Sequence, residues 1–179
     1  MWDVRYSKTL NYPAKVSDVA AMLANPDFVR WCAEQSTPGG AIGLVDVAPR
    51  EDGGFAVNVR RKLPAEHIPP QFRPFVGDSI ELRQAEVWEP ERGGRRRGTV
   101  AQEIVGTPVL VTGTVQLEPT SQGTRQTYQG EINVQLPPIA LMMMPGLIES
   151  IAQAAVQPVD DALALAEKAG HEWLAKSAE

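Results

Sequence analysis

Residues 145–173 read "PGLIESIAQAAVQPVDDALALAEKAGHEW". Ile148, Ile151, Ala152, Ala155, Val159, Ala162, Leu163, Ala166, Gly170 and Trp173 recur at threes and fours, while Glu149, Gln153, Gln157, Asp161, Glu167 and Lys168 take the other side. This is the period of a long amphipathic helix. Pro145 suits a first turn, where a missing N–H costs nothing. Pro158 falls mid-helix and predicts a kink, at about 3 kcal/mol relative to alanine. A helix with one long apolar stripe needs a surface of its own length to cover, and the rest of the chain must supply it.

The residues upstream change period from 3.6 to 2. Val109, Val111, Gly113, Val115 and Leu117 alternate with polar residues, as do Tyr128, Gly130, Ile132, Val134 and Leu136, and "PTSQG" (119–123) joins the two runs as a hairpin. Further back, "RRRGTVAQEIVG" (95–106) and "DSIELRQAEVWEP" (78–90) meet across Gly93-Gly94, and "GFAVNVRRKLP" (54–64) and "AIGLVDVAP" (41–49) flank a turn at 50–54. Between these pairs, Pro64, Pro69, Pro70 and Pro74 rule out a central strand and predict a stiff, ordered excursion. Trp2, Val4, Tyr6, Leu10 and Tyr12 share one parity, so the chain opens with a strand. "SDVAAMLANPDFVRWCAEQ" (17–35) then reads as two short helices broken at Asn25-Pro26-Asp27. The order β-α-α-β6-α with short connections predicts an α+β fold on an antiparallel sheet of about seven strands.

Composition narrows the function classes. The chain has 179 residues, 43% of them hydrophobic, enough for the core of one domain. A net charge of −5 and a pI near 5.1 argue against a nucleic-acid partner. Cys32 is the single cysteine, and with only His67 and His171 beside it no disulfide or zinc-type ligand set can be assembled; a reducing, cytoplasmic location is expected. No apolar run approaches the ~20 residues of a membrane span, and "MWDVRYSKTLNY" lacks the apolar core of a signal peptide.

The stretches "NYPAKVSDVAAMLANPDF" (11–28), "RRKLPAEHIPP" (60–70), "FVGD" (75–78), "AEVWEP" (85–90) and "GEINVQLP" (130–137) carry a closer likeness. With the element order, the chain resembles the helix-grip fold of the START and Bet v 1-like (SRPBCC) superfamily, and within it the bacterial family called domain of unknown function 2505, over nearly its full length. The resemblance implies a single domain over residues 1–179, a curved sheet wrapped around the C-terminal helix, and a ligand cavity between them. None of these stretches is a catalytic motif. "PPIALMMMPGLIE" (137–149) departs from the small, glycine-containing stretch expected there.

Polar residues interrupt faces that should be apolar. Gln84 and Glu86 share their parity with Ile80, Leu82 and Trp88; Lys8 interrupts the first strand; Arg61 follows Phe55, Val57 and Val59; Gln102 lies between Val100 and Ile104. Apolar walls with a few polar groups characterise small-molecule sites. The candidate cavity residues are therefore Lys8, Phe55, Val57, Val59, Arg61, Leu82, Gln84, Glu86, Trp88, Gln102, Tyr128 and Ile132, with Met142, Met143, Ile148, Ile151 and Ala155 closing it. A buried Glu86 needs Lys8, Arg61, a water or a ligand as partner. Ala85 and Val87 leave open the reading in which the opposite face of that strand is the inner one, and a bulge could flip the parity midway. The methionine run 142–144 is core, cavity gate or contact surface. Exposing all three would forgo ~1.5–3 kcal/mol apiece, so some burial is expected.

Other features read more plainly. Cys32 lies on an apolar helix face and reads as a small buried thiol rather than a nucleophile. His67 has a pKa suited to acid–base work, but no serine or cysteine nucleophile stands beside it, and a structural role is preferred. His171 sits one turn after Glu167 as a surface pair. "RGGRRRG" (92–98) lacks the lysine and hydroxyl residue of a phosphate loop and reads as a solvated turn. Three functions compete: binding of an apolar small molecule such as a lipid, isoprenoid or polyketide-like compound; an aromatase/cyclase-like enzyme using Glu86, Arg61 and His67; and an interaction module with a filled cavity. The absence of a catalytic motif favours a non-enzymatic role, without metal or cofactor, and a homodimer is left open.

Overall fold

The computed structural model describes residues 2–64, 66, 70, 73 and 77–178. His67 and most of the proline-rich excursion lie outside the described residues. Seven strands, β1 (Trp2–Tyr12), β2 (Ala41–Pro49), β3 (Phe55–Pro64), β4 (Ser79–Trp88), β5 (Arg96–Ile104), β6 (Val109–Thr120) and β7 (Gly123–Val134), form one curved antiparallel sheet in the order β1-β7-β6-β5-β4-β3-β2. The helices are α1 (Val16–Leu23), α2 (Pro26–Gln35), α3 (Pro138–Met143) and α4 (Leu147–Ser177). This is the α+β helix-grip architecture. β1 and β2 are the two edges, so α1 and α2 carry the chain from one edge to the other, packing on β2, β6, β7 and α4 as they go.

α3 is an element that the order β-α-α-β6-α lacks. It forms because Pro138 occupies a first helical turn, where proline is tolerated. It ends at Met144, whose φ of −134 and ψ of 77 lie outside the helix, as expected of a residue before proline; Gly146, at φ 83, then takes the left-handed conformation at the start of α4. α4 runs unbroken through Pro158.

Apolar side chains form two clusters. One gathers Leu10, Tyr12, Val19, Phe28, Trp88, Val115 and Leu117 with Ala169 from the C-terminal half of α4. The other gathers Val109, Ile132 and Val134 with Ile151, Ala152 and Ala155 from its N-terminal half. α4 lies tight against β1 at Gly170, where an added methyl group would lie 2.4 Å from Tyr12 Cε1. Beside it, the Asn11 N–H of edge strand β1 donates to Glu167 Oε2 at 2.7 Å, and the Asn11 carbonyl accepts from His171 Nε2 at 2.6 Å. Glu167 and His171 therefore do not form the expected surface pair. Each satisfies a backbone group that an edge strand would otherwise leave open.

The inner face of β4 is also settled. Ile80, Leu82 and Trp88 are buried while Val87 is 37% exposed, and the register to β3 and β5 is continuous. Gln84 and Glu86 thus point with Trp88 toward the helix. The sheet's one register shift lies between Ile42 and Leu44 in β2.

Candidate functional site

Between the two clusters, sheet and helix stand apart and enclose two joined chambers. The inner one, about 150 Å³, is walled by Val57, Val59, Val100, Leu23, Phe28 and Leu163 and carries Tyr6, Tyr12, Tyr128, Gln84, Glu86, Gln126 and Cys32. The outer one, about 280 Å³, is more apolar: Leu63, Ile80, Leu82, Ile104, Ala155, Pro158 and Leu165 line it. Ser36, Arg61, Gln102, Val111, Val159 and Ala162 border both.

Strand parity explains the inner chamber's polarity. Tyr6 and Tyr12 on β1, Arg61 on β3, Gln84 and Glu86 on β4, and Gln126 and Tyr128 on β7 all lie on inward positions, so curvature turns them toward one space. Glu86 accepts from Trp88 Nε1 at 3.1 Å and from Gln84 Nε2 at 3.4 Å. It is paired with neither Lys8 nor Arg61, the cations expected from the sequence; its partners are neighbours on its own strand face. Burial raises the Glu86 carboxyl above the usual carboxylate range, against the lowering effect of those two hydrogen bonds. Burial, with the charge of Glu86 adding to it, holds the Tyr6 and Tyr128 phenols above their ordinary 10.0. Tyr12 is raised by burial first, then by Cys32, Glu167 and Glu86. These phenols stay protonated at neutral pH and can donate. Burial pushes the Cys32 thiol up to about 11, opposed by Arg61 and aided by Glu86, so it is no nucleophile near pH 7.

The sequence candidates divide three ways. Val57, Val59, Arg61, Gln84, Glu86, Gln102 and Tyr128 come together around the inner chamber, and Leu82 and Ala155 line the outer one. Phe55, Trp88, Ile132, Ile148 and Ile151 are corrections: they belong to the packed clusters instead. Phe55 stacks on Trp88 at 5.9 Å with the Arg96 guanidinium over its ring, and Ile132 and Ile151 have no exposed surface. Lys8 shares the inward parity but borders neither chamber. Met142 and Met143 are the clearest correction. They are 83% and 76% exposed, and Met144 is 57% exposed. Neither the core nor the gate reading of the run survives.

The match to the family described as protein of unknown function (DUF2505) spans residues 7–174. The chain belongs to the DUF2505 family. An uncharacterized protein of Mycobacterium tuberculosis is 29% identical over 145 residues, covering 74% of this chain and 79% of its own. Among solved structures, Zhui aromatase/cyclase from Streptomyces sp. R1128 superposes with a TM-score of 0.59 at 12% identity, over 99% of this DUF2505 chain and 96% of the other. The di-domain aromatase/cyclase StfQ of the steffimycin biosynthetic pathway gives a TM-score of 0.55 at 14% identity, over 97% of this chain and 52% of that one. A Rhizobium leguminosarum protein gives 0.56 at 13%, over 96% of each. At these identities the likeness establishes the shared helix-grip fold.

Several wall residues of this DUF2505 protein were not singled out from sequence. Tyr6, Tyr12 and Gln126 carried the needed signal, since each shares inward parity with residues that were named. Ser36 and Cys32 carried none. Their place in the wall depends on how α2 lies across the groove, which periodicity does not encode. Among the described residues no helix is long and apolar enough to cross a membrane.

Proposed function

We propose that this protein binds an apolar small molecule, of the lipid, isoprenoid or polyketide-like kind, in the space between sheet and α4. The observation that carries the reading is the pair of joined chambers, apolar along most of their walls, with a few buried polar groups at defined places. The aromatase/cyclases among the structural neighbours support it by analogy of fold. Tight packing of helix on sheet would have removed the space, and burying Arg61, Gln84 and Glu86 there is costly unless they orient something. A cytoplasmic setting suits the unpaired Cys32.

One observation favours a second reading, a cyclase-like enzyme. Glu86, whose burial raises its carboxyl, stands among three protonated tyrosines in the inner chamber, a set that could move protons on a reactive chain. Native mass spectrometry of the protein from its own host tests both. Added mass that is released on denaturation is expected, and analysis of the extracted compound before and after incubation separates a binder from an enzyme. Protein that carries no added mass and takes up none of a panel of apolar dyes would refute both readings.

A further inference from the structure

Among the described residues, two side chains in the wall, on β3 and β7, each keep an enclosed polar atom without a partner. Arg61 on β3 gives its Nη1 to Ser36, reaching the hydroxyl Oγ and, at 3.5 Å, the carbonyl oxygen. The other edge of that guanidinium, Nε–H with Nη2, has no partner among the described residues, and Nε is fully enclosed. Gln126 on β7 donates Nε2 to Tyr128 Oη at 3.0 Å, which leaves Oε1 enclosed without a donor. Arg61 is 7% and Gln126 1% exposed. An unmade hydrogen bond at such an atom costs ~1–3 kcal/mol, which an apolar side chain at either position would avoid. Glu86 does not repair the deficit: its hydrogen bonds come from Gln84 and Trp88, not from Arg61.

The free edges differ in chemistry. Parallel Nε–H and Nη2–H donors match the two oxygens of a carboxylate, and a lone amide oxygen matches a hydroxyl. Resting on the reading of the cavity as a ligand site, we infer that its ligand is an amphipathic hydroxy acid: the carboxylate lies side-on against Arg61, an apolar body crosses the groove, and a hydroxyl donates to Gln126 Oε1. The strand registers set Arg61 level with Val134, eight residues along β7 from Gln126, so the two groups face each other diagonally across the groove. The curvature of the sheet brings both onto the wall of one chamber of about 150 Å³, which suits a compact frame rather than a long extended chain. Neither enclosed atom has surface facing the cavity, so engagement turns the end of each side chain, and the new hydrogen bonds offset that turn. Alkyl substituents have the apolar outer chamber beyond Arg61.

Three naphthalene probes test this by their own fluorescence: a hydroxynaphthoate substituted at opposite ends of the rings, naphthoate, and naphthol. The full-length chain should bind hydroxynaphthoate about tenfold or more tighter than naphthol and about fivefold tighter than naphthoate, as a charged and a neutral hydrogen bond predict. Arg61→Met should abolish the carboxylate's advantage and leave naphthol binding unchanged, and Gln126→Met should abolish only the hydroxyl's. If either variant fails to fold, Arg61→Lys, which keeps the charge but loses the fork, and Gln126→Leu, which offers no acceptor, should show the same selective losses. Naphthol bound as tightly as hydroxynaphthoate, or a ranking that Arg61 variants leave intact, would overturn the hydroxy-acid inference while the cavity reading stands. If none of the three probes nor any apolar dye binds, both fall.

Discussion

Cys32 offers a direct measure of how dry the inner chamber is. Its thiol is shifted from 9.0 to about 11 by burial, with Arg61 pulling it down and Glu86 pushing it up. The sign is simple: a raised thiol pKa means less thiolate at any pH below it. Two pH units correspond to about a hundredfold less of the reactive form. A small alkylating reagent should therefore modify the native protein more slowly than the unfolded chain near pH 8, by less than that factor on this ground alone, since a more basic thiolate is the better nucleophile. Absolute rate also reflects access, so the decisive readout is the pH profile: between pH 7 and 10 the native rate should rise about tenfold per unit without levelling. The neighbours supply signed controls. Glu86→Gln removes a group that raises the thiol and should speed alkylation, while Arg61→Met removes one that lowers it and should slow it further. A profile that levels near 9, or variants that shift the rate the wrong way, would mean that Cys32 faces water rather than the chamber wall.

Burial also raises Glu86 above its ordinary 4.5, so the folded chain holds that proton more tightly than the unfolded one. The resulting destabilisation is absent below pH 4.5, grows as pH climbs toward the raised value, and is constant above it. The Tm advantage of Glu86→Gln over the parent should follow that course; a difference flat with pH would mean a solvated carboxylate. Gly170→Ala should lower Tm although alanine favours helix by ~1 kcal/mol, because the new methyl meets the Tyr12 ring at 2.4 Å and overpacking costs ~1–3 kcal/mol; a Tm gain would refute the close approach. Ala162→Leu projects into the junction of the two chambers, so it should leave Tm unchanged or higher, by up to ~2 kcal/mol of apolar burial, while blocking dye uptake; a loss of ~1–3 kcal/mol would mean the space is already filled. Met142→Ser and Met143→Ser should each alter stability by under ~0.5 kcal/mol in denaturant unfolding, and a loss of ~2 kcal/mol or more would place the side chain in the core.

Alternation read β1, β6 and β7, because a strand with one buried face must repeat its apolar residues every second position, and apolar stretches bounded by glycine and proline read the other four; all seven strands lie where these signals put them. The same parity identified Arg61, Gln84, Glu86 and Gln102 as inward. It could not separate Glu86 from Trp88, two residues away on the same face, of which one borders the cavity and the other has no exposed surface. Nor could it separate Val57 from Phe55. Parity fixes the face of a sheet, whereas lining a cavity depends on how far the covering element stands off at each point. For the methionine run, hydrophobicity misled: three consecutive unbranched apolar residues suggest burial, but in the short segment between Pro137 and Gly146 all three side chains stay exposed.

The stand-off itself follows from side-chain size along α4. At one end Ile151, Ala152 and Ala155 press into the cluster around Ile132 and Val134. At the other, Gly170 lets Tyr12 approach to a distance no other residue type permits, and Glu167 and His171 fasten the helix to the Asn11 backbone. A helix held at both ends cannot settle toward the sheet between them. In that span Val159, Ala162 and Ala166 are short and Leu163 is the larger helix residue on the inner wall, while the floor sets Gln84, Glu86 and Gln126 among its valines and tyrosines. Larger residues at those helix positions, with apolar ones on the floor, would join the two clusters into one continuous core. The cavity is therefore a consequence of where small and polar residues fall along an otherwise ordinary amphipathic pattern, and this is why the face was readable from sequence while the depth was not.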